Sequence, residues 1–269
     1  MQDKYLKQFN AGKDVVIDKA SIDKLINPRV QKMFDMFKFF GFELRIIGGT
    51  VRDILLGKVS RDLDFATNAN PYEIIYIFNE LTEEREAVAS YGIEHGTIVL
   101  KFKESEQYEV TSINFQIHVK DNKIEISQNL DWEHDAARRD FTVNAMSMGI
   151  DGKVFDYENG LDDLKNQKII FLGDYKEKIK HDPVMILRFF KLLGKFEDPE
   201  YDEEALKFIA DNKKLLNKLR QETLEWFDGD MKKQPHYDNV KQAMKEAGIS
   251  LGDYISESTL NQYLYKLYV

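Results

Sequence analysis

Gly48-Gly49-Thr50-Val51-Arg52-Asp53-Ile54-Leu55-Leu56-Gly57 runs, after three residues, into Arg61-Asp62-Leu63-Asp64-Phe65-Ala66-Thr67, and the pair decides the fold. Leu44-Arg45-Ile46-Ile47, just before the glycines, reads as a short strand. The glycine pair lets the backbone turn tightly and come close to a phosphate. Residues 51–56 then read as the first turns of a helix, whose unpaired N–H groups and positive dipole end favour an anion. Arg52 adds a planar donor fork suited to phosphate oxygens. Asp62 and Asp64 fall on a second strand, where a period of two sends both carboxylates to one face and Leu63 and Phe65 to the other. Two hard oxygen donors on one face suit Mg²⁺, which binds few carboxylates and leaves positions for substrate phosphates. The competing reading is an Asp-rich turn followed by an ordinary strand.

Composition narrows the classes. The chain has 269 residues and no cysteine, so disulfides, disulfide-linked partners, thiolate metal sites and cysteine nucleophiles are excluded. Five histidines at 95, 118, 134, 181 and 236 show no zinc-ligand spacing, which leaves a carboxylate-bound metal. No run of eighteen apolar residues exists and the N-terminus lacks the order of a secretory signal, so a cytoplasmic protein without membrane attachment is expected. A net charge of −9 argues against broad nucleic-acid affinity, so any RNA contact is local. Residues 176–180 and Lys213, Lys214, Lys218 and Arg220 are candidate basic patches, with a solvated helix face as the simpler explanation.

Along the chain, Val30, Met33, Phe34, Phe37 and Phe40 predict a helix ending at Gly41, with its aromatic face on a sheet. Asn70 and Pro71 predict the start of a helix over 71–81. Strands are expected at 97–102 and 107–113, and a hairpin at 115–126 around Asp121-Asn122. Strand-like segments at 153–155 and 168–171 precede a change of texture, after which helices are expected from Pro183 and over 205–209, 215–227, 240–247 and 260–267. The expected plan is α+β: a mixed catalytic head over 1–172, then a helical region over 173–269.

Three ordered motifs carry a family resemblance. The glycine and Asp-x-Asp stretches are similar to the first motif of class II tRNA nucleotidyltransferases (CCA-adding enzymes) and bacterial poly(A) polymerases, in the polymerase β-like superfamily. Asp135-Ala136-Ala137-Arg138-Arg139-Asp140-Phe141-Thr142-Val143-Asn144-Ala145 resembles the second motif. Phe155-Asp156-Tyr157-Glu158-Asn159-Gly160-Leu161-Asp162-Asp163-Leu164 resembles the connecting motif. The resemblance implies a polymerase β-like head, a mixed sheet flanked by helices, followed by an all-helical neck and a shortened body that recognises the base and binds RNA. It implies Asp62 and Asp64 as metal-binding catalytic residues, with Glu109 as a third carboxylate because Glu109-Val110-Thr111-Ser112 looks like the family's Glu-Val-Thr-Thr segment.

Gly48, Gly49 and Arg52 would cradle the triphosphate. Arg139, Asp140 and Asn144 would meet ribose and phosphates, and the spacing of Asp140 and Asn144 places them on one helix face. Asp182 and Arg188 match an aspartate and an arginine of the family's last motif and would bind the nucleotide, whereas Met185 stands where the first arginine, which reads the base together with that aspartate, is usual, and Asn114 replaces the arginine after the Glu-Val-Thr-Thr segment. The implied activity is addition of CMP and AMP to the 3′ end of tRNA or another RNA from CTP and ATP, with Mg²⁺. The alternatives are a poly(A) polymerase or terminal adenylyltransferase, a non-catalytic RNA- or nucleotide-binding homologue, and a small-molecule nucleotidyltransferase.

Overall fold

The computed structural model describes residues 15–58, 63–80, 85–89, 96–102, 106–120, 123–128 and 130–255. Asp62, the Asp121-Asn122 turn and the expected helix at 260–267 lie outside them. The chain divides into two compact units, Met1–Asp162 and Asp163–Val269.

The first unit is built on a seven-stranded sheet in the order β3-β4-β5-β2-β1-β8-β9. The elements in chain order are α1 (Lys19–Leu25), α2 (Pro28–Phe39), β1 (Leu44–Ile47), α3 (Gly49–Leu55), β2 (Asp64–Thr67), α4 (Pro71–Glu80), β3 (Arg85–Ala89), β4 (Thr97–Phe102) and β5 (Gln107–Ser112). Next come a separate hairpin of β6 (Phe115–Lys120) and β7 (Lys123–Gln128), then α5 (Trp132–Ala137), a 3-10 turn (Thr142–Asn144), β8 (Ser147–Met148), β9 (Val154–Phe155) and α6 (Gly160–Lys165). The sheet is mixed: β2 runs parallel to β5 and antiparallel to β1.

Local chemistry explains the helix starts. Asn27 caps α2 by accepting from the Val30 N–H at 2.8 Å, with Pro28 in the first turn, and Gly41 leaves the helix at a φ of 84°. At α4, Asn70 accepts from the Glu73 N–H at 3.0 Å while Glu73 accepts from the Asn70 N–H at 2.7 Å, a reciprocal capping box.

Alternation along the strands sorts the two faces of the sheet. Phe65, Tyr108, Val110, Ile98, Leu100 and Phe102 are buried on one face. There Phe34, Phe65, Tyr108, Phe102 and Phe78 form an edge-to-face chain with centroids 5.1–6.0 Å apart, which fastens helices α2 and α4 to the sheet. Each buried phenylalanine contributes roughly 1.5–3 kcal/mol. The opposite face carries Asp64 and Glu109, both exposed.

In the second unit, α8 (Val184–Leu193) is the central helix, with Ile186, Leu187, Phe189, Phe190 and Leu193 fully buried. Around it lie α7 (Tyr175–His181), α9 (Glu203–Asp211), α10 (Gln221–Met231) and α11 (Tyr237–Glu246). A short parallel pair, β10 (Lys168–Ile169) with β11 (Glu200–Tyr201), joins these helices. That pairing draws residues 168–169 into the helical unit, so the division falls earlier in the chain than the change of texture near 172. The expected helix over 215–227 is two elements, a 3-10 segment Lys213–Lys218 and then α10, separated by an extended Leu219.

Candidate functional site

Strand register brings the glycine turn and the Asp64 end of β2 to one end of the sheet. Ile46 pairs with Phe65, so the end of β1, where Gly48 follows, lies beside the start of β2, where Asp64 stands. On the other side of β1, Ile47 pairs with Ser147, and the Gly48 N–H donates to the Met146 carbonyl at 3.2 Å. The second motif is thereby delivered to the glycine turn. Gly48 caps α3 with φ 73° and ψ −140°, a conformation that side chains resist. Gly49 has its own reason to lack a side chain, since a Cβ there would lie 3.2 Å from Arg52 Nη2.

Arg52 is held rigidly. Its Nε donates to Asp53 Oδ1 at 2.8 Å and its Nη1 to Asn144 Oδ1 at 2.5 Å. Asn144 Nδ2 in turn donates to Asp140 Oδ1 at 3.1 Å. Asp53 thereby fixes the guanidinium. Arg139 reaches the same place from the bend after α5: its Nη1 is 4.0 Å from where a Gly48 Cβ would be. Gly48, Gly49, Arg52, Arg139, Asp140 and Asn144 are therefore brought together at the turn.

The route differs from the expected one. Asp140 and Asn144 do not share a helix face: α5 ends at Ala137, the chain bends at Arg139 and Asp140, and a 3-10 turn carries Asn144. The bend is stabilised by Asp140 itself, whose Oδ1 accepts from the Phe141 N–H at 2.9 Å. A continuous helix would need the Asp140 carboxylate to give up that local bond.

Asp64 and Glu109 are register partners on adjacent parallel strands. Strand spacing of about 4.8 Å therefore puts two carboxylate stems side by side on one face. Both are exposed, and both lie between buried neighbours. Among the described residues no group of three or more His, Asp or Glu side chains could hold a metal ion. The described part of the candidate metal site is this pair, and its oxygen donors fit a hard divalent cation.

Three supporting residues were not singled out by their sequence. Arg45 is buried inside β1, with its guanidinium 3.9 Å from the Trp132 ring centroid and 3.6 Å from that of Phe155, and it donates to Glu43, Ser147 and Tyr157. It pins the start of α5 to the sheet. Asp156 accepts from the Gly160 and Leu161 N–H groups, both at 2.9 Å, and so begins α6. Asp135 grips Arg138 and Arg139 together. An arginine within an apolar strand and a carboxylate four residues before an arginine were the available signals. Asn114 donates to the Asn68 carbonyl at 2.6 Å, tying together the loops after β5 and β2.

In the second unit, Asp182 caps α7 and accepts from the Val184 N–H at 3.1 Å; it is exposed, as is Arg188 one turn and a half along α8. Met185 is buried at 5% exposure.

This sheet, with its glycine turn at one end and paired acids on the open face, is a polymerase β-like nucleotidyltransferase head. Residues 44–170 match the model of the poly(A) polymerase head domain. Human mitochondrial CCA tRNA nucleotidyltransferase 1 is 38% identical over 203 residues, which cover 72% of this chain and 46% of that protein. The CCA-adding enzyme of Enterococcus faecalis is 36% identical over 186 residues, covering 68% and 44%. Among solved structures, the Bacillus stearothermophilus CCA-adding enzyme in complex with CTP aligns with a TM-score of 0.67 at 23% identity, over 86% of this chain and 55% of that one. The Thermotoga maritima CCA-adding enzyme, solved as a tRNA complex, aligns at 0.66 and 19%, over 88% and 54%. Across residues 44–170 the chain carries the head domain of the class II tRNA nucleotidyltransferase and poly(A) polymerase relatives, and it spans about half the length of the curated relatives it matches. Among the described residues no helix is long and apolar enough to cross a membrane.

Proposed function

We propose that this chain is a template-independent RNA nucleotidyltransferase that adds CMP and AMP to the 3′ end of tRNA, using CTP and ATP and releasing pyrophosphate. The observation that carries this reading is the convergence of the Gly48 turn, Arg52 and Arg139 beside the Asp64 and Glu109 pair. The glycine turn and the two guanidiniums would hold the triphosphate, with Asn144 and Asp140 keeping Arg52 aimed and meeting the ribose. Asp62 and Asp64, with Glu109 alongside, would hold Mg²⁺. When bound, the ion supplies charge stabilisation at the reacting phosphate. The RNA 3′ oxygen forms a bond to the α-phosphorus as the bond to pyrophosphate breaks. No covalent enzyme intermediate is needed, because positioning and electrostatics supply the acceleration.

The region 1–172 would carry the chemistry, and 173–269 would bind the nucleotide through Asp182 and Arg188 and contact RNA. A cytoplasmic location is part of the reading, with a mitochondrial matrix, after the human relative's name, as the alternative that cell fractionation separates. The test is incubation with Mg²⁺, tRNA lacking one, two or three 3′ nucleotides, and labelled CTP and ATP. Ordered addition of C, C and A supports the proposal; no incorporation into any RNA overturns it in favour of a non-catalytic homologue or a small-molecule nucleotidyltransferase.

A second reading, a terminal adenylyltransferase or poly(A) polymerase, is favoured by one observation. Met185 occupies the position of a base-reading arginine, has no donor, and is buried. Addition of A alone, as a single residue or a long tail, is the outcome that would select it.

A further inference from the structure

The second motif places a carboxylate, Asp135, where solvent barely reaches it: its side chain is 4% exposed. Two guanidiniums close on it. Arg138 donates from Nε at 2.9 Å and from Nη2 at 2.5 Å to Oδ1, and Arg139 donates from Nε at 3.1 Å and from Nη2 at 2.7 Å to Oδ2. Each carboxylate oxygen thus serves one arginine through the same edge of the fork. For Arg139 this leaves Nη1 on the far side, and that is the atom 4.0 Å from the Cβ position of Gly48. The helix that carries Asp135 is fixed at its start by Asp131, which accepts from the His134 N–H at 2.9 Å. That hydrogen bond, first among the causes, holds the Asp131 carboxyl below the usual range. Stacking of Trp132 on Arg45 then fixes the same turn to β1.

We propose that Asp135 is the positioning residue of the triphosphate site, holding Arg139 by its Nε and Nη2 edge so that Nη1 points into the glycine turn. A planar fork aimed in advance loses less freedom when an anion arrives. The inference rests on the proposed reading of this site as a triphosphate cradle. Asparagine at 135 has one acceptor oxygen and presents its amide N–H groups to a guanidinium that can only donate, so it can retain one of the two grips at most.

The experiment measures affinity for inorganic tripolyphosphate by calorimetry in the wild type, Asp135→Asn, Arg139→Ala and the double variant, with thermal denaturation alongside. The inference expects at least tenfold weaker binding in Asp135→Asn, and no further loss, within about twofold, when that change is added to Arg139→Ala. A merely structural role would give losses that multiply, and that result overturns the inference, as does affinity within twofold of wild type in Asp135→Asn. If Asp135→Asn does not fold, Arg139→Lys keeps the charge without the fork; a tenfold loss supports the inference and equal affinity overturns it. Wild-type binding of tripolyphosphate without any RNA extension would remove the proposed function and leave this inference standing. A wild type that does not bind tripolyphosphate overturns the inference.

Discussion

Gly160→Ala tests whether the connecting motif supports the site through a single close contact. A Cβ at Gly160 would lie 2.3 Å from the Thr142 carbonyl oxygen, 3.0 Å from its carbonyl carbon and 3.2 Å from Met146 Cγ. Ordinary carbon to oxygen contact is about 3.4 Å, so one of the two segments must retreat by roughly 1 Å. Gly160 is held by Asp156, which accepts its N–H, and Thr142 opens the 3-10 turn that delivers Asn144. The retreat therefore falls on the bond between Asn144 Oδ1 and Arg52 Nη1, at 2.5 Å the tightest link in the cradle. Overpacking of this kind costs about 1–3 kcal/mol, equivalent to a Tm lowered by about 3–9 °C at ~3 °C per kcal/mol. Displacement of a positioning group by ~1 Å costs on the order of a hundredfold in rate. Differential scanning calorimetry and single-nucleotide incorporation into trimmed tRNA read the two effects. A variant with wild-type Tm and wild-type incorporation would show that the 142–160 approach does not govern the cradle.

Asp64→Ala should reduce incorporation far more than tenfold with little change in Tm, because the side chain is exposed; a loss below about tenfold would contradict a metal-ligand role. Gly48→Ala forces a side chain onto φ 73° and ψ −140°, so a destabilisation of about 1–3 kcal/mol in urea unfolding is expected together with weaker tripolyphosphate binding; unchanged binding would mean the turn is not the anion cradle. Met185→Arg should lower Tm, since it sets a guanidinium at a position 5% exposed, and an unchanged Tm with an altered ratio of CTP to ATP use would mean instead that the arginine reaches a nucleotide.

What the sequence made legible was what short-range chemistry decides. Asn70 and Pro71 announced α4 through capping, the alternation of 97–102 gave β4 to the residue, and the glycine pair marked the turn between β1 and α3. The side-by-side carboxylates of Asp64 and Glu109 needed the parallel β2 and β5 pairing, a contact between segments far apart in the chain that no local pattern encodes. The Asp140 to Asn144 spacing looked helical because four residues fit one helix face. A local bond from Asp140 to the Phe141 N–H won instead. The break between residues 213–218 and α10 carries no glycine or proline, so propensity gave no warning of it. Arg45 reads as an odd charge in an apolar strand until Trp132 and Phe155, from two other elements, are seen to enclose it.

Crystals of the protein grown with CTP and Mn²⁺, measured at the manganese absorption edge, test the central claim most directly. The triphosphate should lie across the Gly48 turn with Arg52 and Arg139 at its oxygens, and an anomalous peak should sit between it and the Asp64 and Glu109 face. A nucleotide bound elsewhere, or manganese remote from Asp64, would contradict the whole reading of the site.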